Sequence, residues 1–200
     1  MNAMRRISKL FALASLAMAA VSCGDVVRDG RAPVFLVIDL LEGSSGQTDE
    51  FSTFVQSDVL TKGGILADPG VVTLRLAPKD IGTPLNPNAP SSNNAVTITR
   101  YHVAYKRADG RNREGVDVPY AFHGAATGTV PPSGRLELPF ELVRNVAKME
   151  APLAQLASAN PTVITTIAEV TFYGADLVGN EITATGFIQV DFANFADEED

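Results

Sequence analysis

The fold is decided by one stretch of the chain, TVITTIAEVTFYGADLVGNEITATGFIQVDF, residues 162–192. Two runs rich in Thr, Val and Ile flank a short segment of Gly, Asp and Asn. β-branched residues favour strands, whereas Gly, Asp and Asn favour turns. In the second run, alternate residues form one face of a strand, and this face is predicted to point inward. Its residues are Ile182, Ala184, Gly186, Ile188, Val190 and Phe192. The stretch therefore predicts two long antiparallel strands, 162–173 and 181–192, joined by a tip at 174–180.

Similar patterns outside this hairpin predict the remaining elements. Strands are predicted at 34–41, 71–77, 95–107, 116–122, 127–130 and 136–142, and one short helix is predicted within 145–158. The first of these strands is apolar enough to be buried on both faces. In 95–107 the apolar face changes near Arg100, which indicates a bulge. Asp109-Gly110 predicts a tight turn into a return strand at 116–122.

This succession of strands predicts an all-β fold, an antiparallel two-sheet sandwich of about seven strands with one short helix. An up-and-down barrel of the lipocalin type is the alternative, but the uneven spacing of the strands argues against it. The domain is predicted to span residues 33–195, and residues 196–200 form an acidic tail that we expect to be solvated.

The tip of the 162–192 hairpin carries the pattern Asp-x-x-Gly-Asn at Asp176, Gly179 and Asn180. This hairpin resembles the final hairpin of bacterial immunoglobulin-like and fibronectin-type-III-like domains. The resemblance covers about 30 residues and implies an immunoglobulin-like sandwich. The chain has one Cys and no Trp, so the core of antibody domains, with its disulfide and Trp, is absent.

The N-terminal segment has the features of an export signal. Arg5, Arg6 and Lys9 precede an apolar run, Leu10 to Val21, that is shorter than the ~20 residues needed to span a bilayer. The run ends in Ala20-Val21-Ser22-Cys23, which resembles the lipobox of bacterial lipoproteins, with Ala20 where that family most often has Leu. The resemblance implies that residues 1–22 are removed as a signal peptide and that Cys23 is lipidated. The alternative is a general secretory signal with an incidental Cys.

The lipobox resemblance also implies a location. Residues 23–32 lack apolar periodicity and are predicted to form a tether between the lipid and the fold. Gly24 stands where enterobacterial lipoproteins retained at the inner membrane carry Asp. The expected location is therefore the cell envelope, lipid-anchored at the outer membrane.

Composition excludes several kinds of partner and site. The formal net charge is −7, and beyond residue 22 the chain carries 13 basic against 23 acidic residues. Such a surface repels a phosphate backbone, so nucleic-acid binding is not expected. One Cys allows no internal disulfide, and two His without a second Cys argue against a structural zinc site. No Gly-x-Ser-x-Gly elbow and no phosphate-binding loop is present, and no cofactor is expected.

Four sets of residues are candidates for a site, and each has a plain structural alternative. His102 and His123 with a carboxylate would suit a metal triad, but an exposed strand His and a loop His are the simpler interpretation. Asp176, Asn180 and Glu181 offer oxygen ligands for calcium, yet Asp and Asn also suit a turn. The third set consists of acids on strands that could serve glycoside hydrolysis: Glu137, Glu141 and Glu169. The fourth set could form an exposed aromatic strip, or could instead pack in the core: Tyr101, Tyr105 and Tyr120.

None of these sets forms a catalytic motif. The sequence therefore predicts a membrane-anchored envelope lipoprotein that acts as a non-catalytic binding or structural module. Its expected partners are the membrane, through the N-terminal lipid, and an envelope protein or glycan. An envelope glycan-directed hydrolase using carboxylates on its strands is the alternative, and a subunit of a larger envelope assembly is a third possibility.

Overall fold

The computed structural model of the protein describes residues 31–48, 50–87, 91–158 and 162–195. The predicted signal peptide, Cys23, most of the tether and the acidic tail at 196–200 lie outside the described residues. Within those ranges, no helix has both the length and the apolar composition needed to cross a membrane.

The described residues form two main sheets that pack face to face. One sheet contains, in spatial order, β1 (Val34–Gly43), β3 (Asp68–Pro78) and β8 (Arg135–Val143). The other contains β2 (Phe54–Asp58), β10 (Glu181–Ala193), β9 (Ile164–Asp176), β6 (Val96–Lys106) and β7 (Phe122–Val130). The smaller elements are a hairpin of β4 (Gly82–Thr83) and β5 (Asn86–Pro87), the helix α1 (Asn145–Lys148), and 3₁₀ turns at Ser92–Asn94 and Leu153–Ala157.

This arrangement confirms the predicted all-β immunoglobulin-like sandwich. β1, β3 and β8 take the positions of strands A, B and E, and β10, β9 and β6 take those of G, F and C. The one parallel pair among the described strands joins β2 to β10, from Phe54 opposite Gln189 to Asp58 opposite Ala193. The sequence pattern does not predict β2.

The hairpin that decides the fold has the predicted register. β9 and β10 pair antiparallel from Ala175 opposite Glu181 to Ile164 opposite Phe192. The predicted inner face of β10 is confirmed: Ile182, Ile188, Val190 and Phe192 are buried, and Ala184 and Gly186 are partly buried. Gly186 lets β1 approach, because a Cβ there would lie 3.0 Å from side-chain atoms of both Ile38 and Leu41.

Aromatic rings fill the space between the sheets. Tyr101 packs edge-on against Phe140 with ring centroids 5.3 Å apart, and Phe140 packs against Phe172 at the same distance. Tyr105 and Phe192 form a similar pair at 5.5 Å. Such edge-to-face pairs add to the stabilisation from burial, so these strands are held by specific contacts as well as by apolar area.

The predicted bulge in β6 is confirmed. The register of β6 with both neighbours shifts between Ile98 and Arg100. Ile98 is buried before the shift, and Tyr101, Val103 and Tyr105 are buried after it. The extra residue thus moves the odd-numbered side chains to the inside and the even-numbered ones to the outside.

Two local predictions about strands are wrong. β1 is half-buried rather than buried on both faces: Phe35 and Leu40 are exposed, and a bulge at Asp39 places its carboxylate on the outer face beside Arg75 and Arg135. Residues 116–122 are not a return strand, since β6 pairs instead with β7, which begins at Phe122.

The predicted helix within 145–158 is broken into two short pieces. α1 covers one turn, and a 3₁₀ turn follows at Leu153–Ala157. Leu153 and Leu156 are buried as expected, but Val146 and Met149 are exposed. Ala147 and Lys148 take the buried positions of α1.

The two ends of the sandwich differ. β1 begins at Val34, which pairs with Pro78, and ends at Gly43, which pairs with Gly70. The end at Val34 also carries the β9–β10 turn, and we call it the tether end because residues 23–32 lead to it. Ala32, assigned to the tether, is itself buried. The opposite end, the loop end, carries the segments 44–53, 59–67, 107–121 and 144–163.

Candidate functional site

A cleft of about 750 Å³ opens at the loop end. The segment 44–53, strand β2 and the segment 59–67 form its walls, and Phe195 closes one side. The lining mixes hydrogen-bonding and apolar side chains: Ser44, Ser45, Gln47, Thr48, Glu50, Ser52, Gln56, Asp58, Thr61 and Lys62, with Phe51, Phe54, Val55, Leu66 and Phe195. A cleft of this size and mixed lining suits a ligand that presents both polar groups and apolar faces.

Asp58 holds the walls of the cleft together. It is buried at the end of β2, and its carboxylate accepts hydrogen bonds from Gln47 Nε2 at 3.1 Å, from the Leu60 amide at 3.2 Å and from the Phe195 amide at 3.3 Å. One carboxylate thus joins the segment 44–53, the segment 59–67 and Phe195, which lies just after β10. These bonds make Asp58 a structural support of the cleft.

Two hydroxyls stabilise the turns of the walls. Ser44 is buried, and its Oγ donates to the carbonyl of Thr48. Thr61 is also buried; its Oγ1 donates to the Gly64 carbonyl at 2.7 Å and accepts from the Gly63 amide at 3.2 Å. The walls are therefore built by local side-chain to backbone bonds, which explains how segments without regular structure hold a defined shape.

Below the cleft lies a buried ion pair. Lys148 Nζ, at the end of α1, donates to Asp68 Oδ1 at 2.7 Å, and neither side chain has exposed surface. Asp68 Oδ2 and Ser57 Oγ are buried as well, and neither forms a hydrogen bond within the described part of the chain. The pKa of Asp68 is raised to about 6, mainly by burial and to a smaller extent by nearby Asp58, although Lys148 and the Ser57 hydroxyl act in the opposite direction.

The exposed groups of the cleft are those able to contact a ligand. Phe51 and Phe54 are each 39 % exposed, and Glu50 and Gln56 are exposed beside them. Aromatic faces next to amide and carboxylate groups suit sugars and extended peptide segments alike. Sequence reasoning missed this site, because residues 47–69 fit neither the helical nor the strand period.

The structure brings the two histidines together. His102 of β6 lies directly opposite His123 of β7, with ring centroids 4.4 Å apart and planes tilted by 36°. The interpretation of His123 as a loop residue is wrong, since β7 already includes it. Partial burial lowers the pKa of His102, and so does the charge of His123, whereas Glu169 and Glu114 raise it. No cluster of three or more metal-binding side chains occurs in the described ranges.

The three candidate acids do not converge. Glu137 and Glu141 alternate with the buried side chains of β8, so they lie on the outer face of the three-stranded sheet. Glu169 lies on the outer face of the other sheet, where it pairs with Lys106. Glu137 and Glu141 are four residues apart on one strand, or about 13 Å, which exceeds the ~5–9.5 Å separation of glycosidase acids.

The candidate calcium ligands are used by the turn itself. Asp176 is buried, and its Oδ1 accepts from the amides of Val178 at 3.0 Å and Asn180 at 2.8 Å. Its Oδ2 accepts from Asn180 Nδ2 at 2.8 Å. Burial alone would raise the pKa of Asp176, but these hydrogen bonds lower it below the usual value. The turn interpretation accounts for Asp176 and Asn180 without a cation.

The predicted aromatic strip does not form, because two of its three tyrosines belong to the core. Tyr101 and Tyr105 are buried. The Tyr105 hydroxyl donates to the Leu142 carbonyl at 2.6 Å, and the Tyr101 hydroxyl accepts from the Glu141 amide at 3.1 Å. Tyr120 is exposed and covers Gly115. The core alternative is therefore correct for Tyr101 and Tyr105.

Comparison with known proteins adds little to this geometry. No protein-family model matches the chain, and no curated protein matches it. Among solved structures, the chain is similar to the X-ray structure of Northeast Structural Genomics Consortium target SoR45. The TM-score is 0.36 at 13 % sequence identity, over 79 % of this chain and 86 % of that chain. A likeness at this level says nothing about function.

Proposed function

We propose that this protein is a lipid-anchored lipoprotein of the bacterial cell envelope that binds an envelope glycan or protein in the cleft at its loop end. The position of the cleft is the observation that carries the proposal. The tether leads to one end of β1 and the cleft opens at the other, so a chain anchored through Cys23 would hold the cleft away from the membrane, at the outer membrane as the lipobox resemblance implies.

Binding rather than catalysis is supported by how the buried acid of the cleft, Asp58, is used. Asp58 is bonded to three separate wall segments, so its lone pairs stabilise the cleft instead of facing a substrate. The alternative, an envelope glycan hydrolase, would require two carboxylates across a shared cleft. The acids considered for that role lie on opposite outer faces or far apart on one strand.

Retention of envelope material by the domain tests the proposal. The chain from Gly24 onward, which lacks the lipidation site, is immobilised and incubated with purified cell-wall glycan and with solubilised envelope protein. Phe51→Ala combined with Gln56→Ala should lower retention about tenfold or more, the effect of losing well-packed contacts worth at least ~1.4 kcal/mol. Phe35→Ala, which truncates an exposed aromatic residue at the tether end of β1, is the matched control and should retain as much as the unaltered domain.

Two results would count against this function. If the unaltered domain retains nothing at any salt or calcium concentration, the binding proposal fails. If the glycan is instead shortened during incubation, the hydrolase is the correct alternative.

A further inference from the structure

The outer face of the five-stranded sheet carries an isolated pair of imidazoles. His102 and His123 are the chain's only histidines. They occupy directly opposite positions on β6 and β7, and their ring centroids are 4.4 Å apart. Neither ring forms a hydrogen bond within the described residues, so the ring nitrogens of both are available to a ligand.

The pairing depends on the β6 bulge. If the alternation that buries Ile98 continued without a shift, the even-numbered residues of β6 would face the core, and His102 would be one of them. The register shift after Ile98 turns His102 outward instead. His123 points outward as well, because its neighbour Phe122 is buried.

The register that aligns the two rings is held from the inner face. Tyr101 pairs with Gly124 and Val103 with Phe122, on either side of the histidine pair. Tyr101 packs against the backbone of Gly124 so closely that a Cβ there would lie 2.1 Å from the tyrosine ring. A slip of the strands would break this contact. The two imidazoles are thus positioned before any ligand arrives, which lowers the cost of binding one.

Two charged neighbours of the pair are bound to other partners. Arg100 lies over the ring of Tyr173, 3.7 Å from its centroid. Glu169 forms an ion pair with Lys106. A cation approaching the rings therefore meets no unpaired guanidinium at Arg100, and Glu114 adds a further negative charge nearby.

From this arrangement we propose that His102 and His123 chelate one divalent transition-metal ion of the class that prefers imidazole, Cu²⁺, Ni²⁺ or Zn²⁺. Imidazole nitrogen is a preferred ligand of these three ions, and Cu²⁺ binds most strongly of them at a given site. With two protein ligands, the ion keeps positions for water or for a donor group of a bound molecule. This is the coordination of an open site rather than of a closed structural one.

Metal titration of the full chain, made without an affinity tag and held in detergent, tests the site. Titration calorimetry with CuCl₂ and with ZnCl₂ should give one ion per chain. Electron paramagnetic resonance of the copper form should show splitting from two imidazole nitrogens. His102→Asn and His123→Asn should each weaken binding about tenfold or more, because each leaves a single imidazole.

Two controls keep the result interpretable. Glu137→Gln removes an acid from the opposite outer face and should bind metal as the unaltered chain does. Thermal unfolding without metal should be the same for both histidine variants, since the two side chains are outside the core. Metal should raise the unfolding temperature of the unaltered chain but not of the variants. Equal affinity in all four proteins, or no binding at millimolar metal, would overturn the proposal.

Discussion

Lys148 is the residue whose loss the fold should tolerate least. Its ammonium group is fully buried and is joined to the equally buried carboxylate of Asp68. Removing one partner of such a pair leaves an uncompensated charge in the interior. We therefore expect Lys148→Met to lower the free energy of unfolding by about 3–5 kcal/mol, measured by urea denaturation at pH 7.

An exposed pair and a double variant provide the comparison. Lys106→Met breaks the surface pair with Glu169 and should cost less than about 1 kcal/mol. Asp68→Leu combined with Lys148→Met removes both charges and should recover much of the loss. If Lys148→Met and Lys106→Met lower the free energy of unfolding equally, the buried pair is no more important for stability than the surface pair, and this prediction is wrong.

The same pair gives stability a pH dependence of known sign. The pKa of Asp68 is raised from 3.8 to about 6 in the folded chain, so the folded state binds this proton more tightly than the unfolded state. The contribution of Asp68 to stability is therefore complete below about pH 4 and is lost as the pH rises through about 6. Urea denaturation between pH 4 and 7 should show the stability of the unaltered chain falling relative to Asp68→Asn. An opposite slope would mean that the pKa is lowered instead.

Among the elements, the β6–β7 pair depends on one close backbone approach. The ring of Tyr101 occupies the space that a side chain at position 124 would need. Gly124→Ala should therefore lower the free energy of unfolding by about 1–3 kcal/mol, because overpacking forces the strands or the ring to shift. Gly63→Ala is the matched control, since its Cβ would meet one atom, Thr61 Oγ1, at 3.7 Å. A Gly124→Ala variant as stable as the control would contradict this account of the pairing.

The elements also show what sequence periodicity can predict. β9, β10 and the β6 bulge were accessible because their inner faces are marked by regular apolar side chains. β2 was not, because the polar residues Ser57 and Asp58 are buried in it, and hydrogen bonds rather than an apolar pattern stabilise Asp58. Its parallel pairing with β10 joins positions more than 130 residues apart, which local sequence does not encode.

Local signals also misplaced the return strand that was predicted after the turn at Asp109-Gly110. Asp109-Gly110 does form a turn, with Gly110 at a φ of 80°, but Asp109 pairs with Arg107 and Arg111 and the chain continues as a loop. Asp117 forms an ion pair with Arg113, and the Gly115 amide donates a hydrogen bond to the Val118 carbonyl, so this part of the chain does not pair with β6. Competing side-chain bonds thus override β propensity there. The cleft was missed for a related reason, since its walls rest on Asp58 and hydroxyl bonds rather than on periodicity.

The two ends of the molecule differ, because residues 23–32 lead to one end and the cleft opens at the other. At the tether end, short turns join β7 to β8 and β9 to β10, and the longer segment 79–95 joins β3 to β6. The loop end carries the cleft and, beneath it, the buried ion pair between Asp68 and Lys148. Loops held on a rigid sandwich are where binding functions usually lie. The proposed anchoring through Cys23 would leave this surface open to the surroundings, which is the arrangement that a membrane-bound binding module needs.

We propose that Cys23 joins this sandwich to a membrane. Two or three acyl chains would provide stable anchoring, because each buried CH₂ contributes ~0.8 kcal/mol, and the short tether would keep the domain near the bilayer. Changing Cys23 to Ala should leave the precursor uncleaved by the lipoprotein signal peptidase. Unlike the unaltered chain, the variant should carry no lipid.

The most direct test is the intact mass of the protein extracted from the membranes of the bacterium that makes it. We predict a mature chain that begins at Cys23 and carries the added mass of a diacylglyceryl group, usually with a third acyl chain on the new N-terminus. A mature chain that begins at another residue and carries no lipid mass, together with normal cleavage of the Cys23→Ala variant, would contradict the account.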